Sequence, residues 1–347
     1  MHLSRFPRFR FAHLNTPLEP MERLSKHLSG PRLWIKRDDC TGLAGGGNKV
    51  RKLEFLMADA LAKGADAIIT HGAVQSNHVR QTAAIAAKLR LRCHVLLEER
   101  VSGEDADYYY NGNVLLDNLL GASLTCVPVG TDMSQAMQGV ADELRGRGAN
   151  PYLIPGGGSN QVGALGYVNA VLELLSQVNS MGLRIDRIIH ATGSAGTQAG
   201  LVAGMAMTSS RIRILGIGVR APEAIQQQNV LTLARWTASH LGIEGRVSES
   251  DVLVNCSYIG AGYGVPTREA LEAIKTLAQT ESVLLDPVYS GKAMAGLIDL
   301  VKKGHFGREE NIVFWHTGGT QALFAYRRAF GFPDYRLGAA GGVEDVG

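Results

Sequence analysis

Cysteine is scarce: Cys40, Cys93, Cys126 and Cys256 are the only four in 347 residues, and no two form a C-x-x-C pair. That spacing excludes a disulfide framework or a zinc ribbon and suits a reducing compartment. No charge of one sign dominates, since 35 basic and 32 acidic residues leave a net +3. The one basic cluster is Arg5, Arg8 and Arg10, too little for a nucleic-acid or membrane surface. Long apolar runs are missing as well, and the start MHLSRFPRFRF lacks the apolar core of a signal peptide. A cytoplasmic protein without a metal site is the expectation.

Glycine, in contrast, is plentiful, with 42 residues clustered after apolar runs. Such clusters mark strand-to-helix turns. Ala67–Thr70, Cys93–Leu97, Leu124–Val129 and Tyr152–Ile154 read as strands, with helices expected through Gln81–Lys88 and Asn113–Leu120. A second series follows at Arg187–His190, Ile212–Ile217 and Ile312–Trp315. Strands spaced by helices predict βαβ units and parallel sheets. The fold class is α/β, with two doubly wound lobes and an active site in the cleft between them. A boundary is expected near Gly156–Asn160.

Several turns carry chemistry. Gly45-Gly46-Gly47-Asn48-Lys49 runs into an amphipathic helix. A lysine there either joins a phosphate cradle or is a partly desolvated amine suited to forming an imine; a solvated helix-start lysine is the plain alternative. The P-loop spacing G-x-x-x-x-G-K-[ST] fails, because Asn48 precedes Lys49 and Val50 follows it. In Gln75-Ser76-Asn77-His78, Ser76 or Asn77 either caps a helix or faces a ligand. Thr192-Gly193-Ser194-Ala195-Gly196-Thr197 follows a strand and opens a helix, which suits a phosphate. It lacks the G-x-G-x-x-G spacing of a dinucleotide site. Tyr263 and Tyr289 lie on glycine-flanked loops, and Thr317 ends a predicted strand.

Together, Gly46-Gly47-Asn48-Lys49-x-Arg51-Lys52, Gln75 to His78, Thr192 to Thr197 and Asp286-Pro287-Val288-Tyr289-x-Gly291-Lys292 resemble the aminocyclopropane-carboxylate deaminase and D-cysteine desulfhydrase family. These are fold-type II pyridoxal-phosphate enzymes, similar to the tryptophan synthase β-subunit. The resemblance covers nearly the whole chain. It implies a small lobe over 52–160 and a large cofactor-binding lobe over 1–51 and 161–347, in a homodimer. Lys49 would hold pyridoxal 5'-phosphate as an imine and move the α-proton. Asn77 would bond the ring oxygen, and Thr192, Gly193, Ser194, Ala195, Gly196 and Thr197 would hold the phosphate. Thr317 would lie near the pyridine nitrogen, with Tyr289 at the ring face and Tyr263 toward the substrate. Ser76, Asn77 and Gln75 would take the substrate carboxylate, with Ser159 or Thr320 near its far end.

The deaminases of the family place a glutamate directly after the tyrosine of D-P-V-Y, where this chain has Ser290. A hydroxyl there argues against cyclopropane opening and for β-elimination. Asp38 to Leu43, Asn111 to Asp117 and Gly216 to Pro222 look closer to the subgroup that releases sulfite from L-cysteate. Release of sulfide from D-cysteine is the alternative.

Overall fold

The computed structural model describes residues 3–101 and 106–331. Among these residues ten strands form two sheets. The smaller holds β3 (Ala67–Ala73), β4 (Arg92–Glu99), β5 (Ser123–Pro128) and β6 (Pro151–Ile154), in the order β5-β4-β3-β6. All its pairings are parallel. The larger holds β1 (Leu18–Pro20), β2 (Arg32–Arg37), β7 (Arg187–Thr192), β8 (Arg213–Gly218), β9 (Leu253–Asn255) and β10 (Asn311–His316), in the order β1-β2-β10-β7-β8-β9. Only β1 runs antiparallel, against β2.

Central strands read as near-continuous apolar runs because helices cover both faces. β3 and β10 are buried over almost their whole length. β5, at an edge, is mostly exposed and ends in Pro128, which cannot donate to a further strand. The segment Thr320–Phe330 crosses back, and its Ala322, Ala325 and Tyr326 join the core cluster of the smaller sheet's helices. Residues 1–2 and 332–347, at the ends of the expected large lobe, lie outside the described residues.

The helix Lys49–Ala62 positions the cleft. It packs on helix Gln161–Ser180, where a Cβ on Gly166 would fall 2.3 Å from the Arg51 carbonyl oxygen. Only glycine allows so close an approach. One face of this helix closes on a buried ion network. Arg51 donates to Asp38 Oδ1 at 2.7 Å and to Glu173 Oε2 at 2.8 Å, while Lys36 Nζ reaches Glu173 Oε1 at 2.5 Å. Tyr167 and Trp315 donate to the second oxygen of Asp38. Two cations therefore face two anions, with the remaining lone pairs hydrogen-bonded, as burial of charge requires.

Candidate active site

The carboxyl ends of β3, β4, β7, β8 and β10 open on one cavity of about 330 Å³, where ligands bind in open α/β sheets. It is lined by Lys49, Ser76, Asn77, Ser159, Thr192, Gly193, Ser194, Ala195, Thr197, Tyr263, Tyr289 and Thr317. These twelve come from seven separated stretches of chain and include most of the residues expected from sequence.

Lys49 is the first residue of its helix, reached through a tight turn with φ of +80°, +74° and +130° at Gly45, Gly46 and Gly47. The turn is pinned at Asn48, whose N–H donates to the Thr317 carbonyl at 3.0 Å and whose Nδ2 donates to Thr197 Oγ1 at 3.1 Å. Burial lowers the Lys49 pKa to about 8, and a hydrogen bond with Lys52 offsets this only in part. Lys52, one turn on and so on the same helix face, donates to the Gly157 carbonyl at 3.1 Å. Burial, then the neighbouring Lys49, holds the Lys52 pKa well below its usual range.

The turn after β7 is built to approach an anion. A Cβ on Gly196 would meet Ser159 Oγ at 2.6 Å and Lys52 Nζ at 2.8 Å. Ala195 takes φ +68°, which turns the chain directly into helix Gly196–Thr208. The Gly196 N–H is taken by the Ser194 carbonyl at 2.9 Å and Ser159 Oγ at 3.3 Å, and the positive end of the helix behind it is the usual seat of a phosphate. Ser159 Oγ donates to Ser194 Oγ at 2.9 Å, and a Cβ on Gly157 would fall 2.3 Å from Ser194 Oγ and 3.4 Å from Lys49 Nζ. Lysine amine, hydroxyls and glycine turn thus meet at one point.

Ser76 does both things its position allows. Its Oγ accepts the Val79 N–H at 3.3 Å as the cap of helix Asn77–Lys88, and it lines the cavity. Asn77 Oδ1 accepts from Arg80 at 3.1 Å and Asn113 at 3.0 Å, which orients its amide and leaves Nδ2 as a donor. Thr317 lines the cavity with a hydroxyl that makes no hydrogen bond among the described residues. Tyr263 and Tyr289 share a 2.6 Å hydrogen bond between their hydroxyls.

Three expectations need correction. Gln75 does not reach the cavity: Nε2 donates to the carbonyls of Tyr108 and Asn111, and Oε1 accepts the Asn113 N–H, so it braces a helix start. Thr320 points away, with its hydroxyl on the Leu284 carbonyl. Gly196 sits in the turn but behind the cavity wall. Ser290 donates to Asp286 Oδ1 at 2.6 Å and does not line the cavity.

The sequence reading passed over several wall residues. His71 accepts the Gly156 N–H on Nε2, and burial, then Arg100, keeps it neutral, pushed down to about 4. Arg100 and Arg220 also face the cavity, just past β4 and β8. Their places beyond strand ends were the available signal, as was the three-residue spacing of Lys49 and Lys52.

Pyridoxal phosphate suits this donor set: a desolvated amine, a glycine-rich helix start beside Lys52, a fixed amide donor at Asn77 and a free hydroxyl at Thr317. The comparisons agree. Residues 9–318 match the family model described as pyridoxal-phosphate dependent enzyme. The chain is 46% identical over 325 residues to the D-cysteine desulfhydrases of Salmonella typhimurium and Klebsiella pneumoniae, covering 94% of this chain and 98% of each relative. A solved structure of an ACC deaminase homologue superposes with a TM-score of 0.86 at 37% identity, over 95% of this chain and 99% of that one. An O-ureido-L-serine synthase shares the fold, with a TM-score of 0.65 at 16% identity over 95% of each chain. The chain belongs to the pyridoxal-phosphate-dependent enzymes of fold-type II, in the aminocyclopropane-carboxylate deaminase and D-cysteine desulfhydrase family.

Proposed function

We propose that this pyridoxal-phosphate enzyme cleaves the carbon–sulfur bond of a three-carbon amino acid by β-elimination, with L-cysteate as substrate. The observation that carries this reading is the charge of the cavity wall: among the described residues Lys49, Arg100 and Arg220 line it, and no aspartate or glutamate does. Such a wall suits a ligand set of phosphate, carboxylate and sulfonate. It also offers no carboxylate to the pyridine nitrogen, which fits expulsion of a good leaving group better than cyclopropane opening.

Bound pyridoxal phosphate supplies the electron sink for negative charge at Cα. Lys49 would hold the cofactor through its amine, and Ser194, Thr197, Lys52 and the N-terminal end of helix Gly196–Thr208 would hold the phosphate. Ser76 and the N–H groups of its turn would take the substrate carboxylate, while Asn77 Nδ2 would be the donor toward the bound ring. An amine lowered to about 8 is neutral often enough near neutral pH to take the proton from Cα. The Cβ–S bond then breaks, and sulfur leaves with the bonding pair as sulfite. The three-carbon enamine takes up water to give pyruvate and ammonium.

Release of sulfide from D-cysteine is the second reading, and the names of the relatives at 46% identity favour it over the first. Purified protein given L-cysteate or D-cysteine, with pyruvate, sulfite and sulfide assayed together, separates the two. A higher kcat/KM and sulfite from L-cysteate supports the first; sulfide from D-cysteine with the higher kcat/KM replaces it. A homodimer and a division at 52–160 belong to the same reading, and light scattering tests the former.

A further inference from the structure

Arg100 and Arg220 stand apart from the cofactor cradle, and each comes from a different sheet. Arg100 follows β4 of the smaller sheet; Arg220 follows β8 of the larger. Arg100 is fixed from two sides. Its Nε donates to Glu98 Oε2 at 2.5 Å, and its guanidinium lies over the Tyr263 ring, 5.3 Å from the centroid. Glu98 in turn accepts the Gly130 N–H at 3.1 Å. Arg220 differs: it is exposed and makes no hydrogen bond or ion pair among the described residues. Both guanidiniums nevertheless act on the same groups, His71, Glu98 and the Tyr263 hydroxyl, so the two charges converge on one part of the cleft. Among the described residues Glu98 neutralises one of them, which leaves one positive charge beside the Tyr263–Tyr289 hydroxyl pair without a counter-ion there.

We propose that Arg100 and Arg220 form the leaving-group subsite, a two-sided anion clamp that selects a substrate with a sulfonate on Cβ. This rests on the β-elimination reading above and deepens it. A sulfonate offers three acceptor oxygens, enough for a guanidinium from each lobe and a tyrosine hydroxyl. A thiol has one small, weakly accepting sulfur and leaves Arg220 without an acceptor and Arg100 with Glu98 alone. The clamp assists departure too, because the group that leaves carries more negative charge as sulfite than it carried as sulfonate.

The test uses the holoenzyme and Arg220→Gln, with L-cysteate against the uncharged side chains of D-cysteine and β-chloro-L-alanine. Two readouts need no turnover of L-cysteate: sulfite as an inhibitor and the cofactor's dissociation constant. The variant is expected to lose about 10- to 100-fold in kcat/KM for L-cysteate, the scale of a lost charge-assisted contact. Sulfite inhibition should weaken by a similar factor, with the uncharged substrates within about twofold and the cofactor constant unchanged. A double variant, Glu98→Gln with Arg100→Gln, should behave alike without stranding a carboxylate. Equal losses on every substrate, or a weakened cofactor, would overturn the clamp and assign Arg220 to the phosphate. If the wild type acts on D-cysteine and not on L-cysteate, the substrate reading fails by itself, and sulfite inhibition of wild type against variant still decides the subsite.

Discussion

The helix Lys49–Ala62 has two buried sides with opposite electrostatics. On one, Arg51 and the nearby Lys36 meet Asp38 and Glu173, so each cation has an anion within 3 Å. On the other, Lys49 lines a cavity whose wall carries no carboxylate among the described residues, and Lys52 lies buried just behind it on the Gly157 carbonyl. Burial lowers the pKa of Lys36 and Lys49 alike, but Glu173 and Asp38 pull Lys36 back up while Lys49 settles at about 8. The same residue type is a structural strut in one place and a reactive amine in the other. What separates them is the counter-charge, because a desolvated amine without an anion gives up its proton and becomes a nucleophile and base.

The sharpest break of this contrast is Lys49→Ala. Turnover should fall by at least about 10³-fold, with loss of the visible absorbance of the cofactor joined to the lysine, while the thermal midpoint changes little. Significant turnover in that variant would place the reactive amine elsewhere. Arg51→Met reverses the pattern. It leaves Asp38 buried without a cation and Glu173 with Lys36 alone, and should cost about 3–5 kcal/mol of stability. Denaturant titration checks this, and a loss under about 1 kcal/mol would mean that the network adds little.

The reactive side of the helix was legible in the sequence and the structural side was not. Gly45 to Lys49, Ser76–Asn77 and Gly193 to Thr197 are contiguous turns whose composition suggests an anion or an imine. The network joins Thr16, Lys36, Asp38, Arg51 and Glu173, and the last contact spans 157 residues, so no local pattern reports it. Arg100 and Arg220 were missed for the same reason, as each looks like a solvated charge until the two sheets bring them together. Gln75 was misread because its neighbours face the cavity while its own amide is occupied by Tyr108, Asn111 and Asn113. The three-residue strands β1 and β9 are too short to show a period.

Acid and base separate the two sides again. Contacts with Arg51 and Lys36 outweigh burial and depress Glu173 to about 2 in the folded chain, against 4.5 unfolded. Its stabilisation is therefore complete above about 4.5 and is lost as pH falls toward about 2. Acid unfolding followed by circular dichroism should show it, and Glu173→Gln should be less stable at neutral pH and flatter across that window. On the other side, a neutral Lys49 is needed to capture the cofactor. The rate at which apoenzyme takes up pyridoxal phosphate should rise with pH and level off above about 8. A rate that does not change between pH 6 and pH 9 would show that desolvation does not set the amine's charge.

Lys52 ranks below these because it joins neither extreme: it is buried on the reactive side but bonds to the Gly157 carbonyl. If it serves the phosphate, Lys52→Gln should weaken cofactor binding about tenfold while kcat at saturating cofactor stays within about threefold, on the scale of one charge-assisted bond.

The smallest effect, Ser76→Ala, tests whether one side chain can belong to both kinds of region. As a cap accepting the Val79 N–H, Ser76 should contribute about 1 kcal/mol to stability. As a wall residue beside the substrate carboxylate, it should contribute a several-fold effect on KM. Ser76→Thr keeps a hydroxyl that can cap and adds a methyl toward the cavity, so it should retain the stability and still raise KM. If alanine and threonine raise KM equally, the volume and hydroxyl of the wall matter more than the cap. If alanine changes stability alone, the carboxylate is held by the backbone N–H groups of the turn, and the serine is only the residue that forms it.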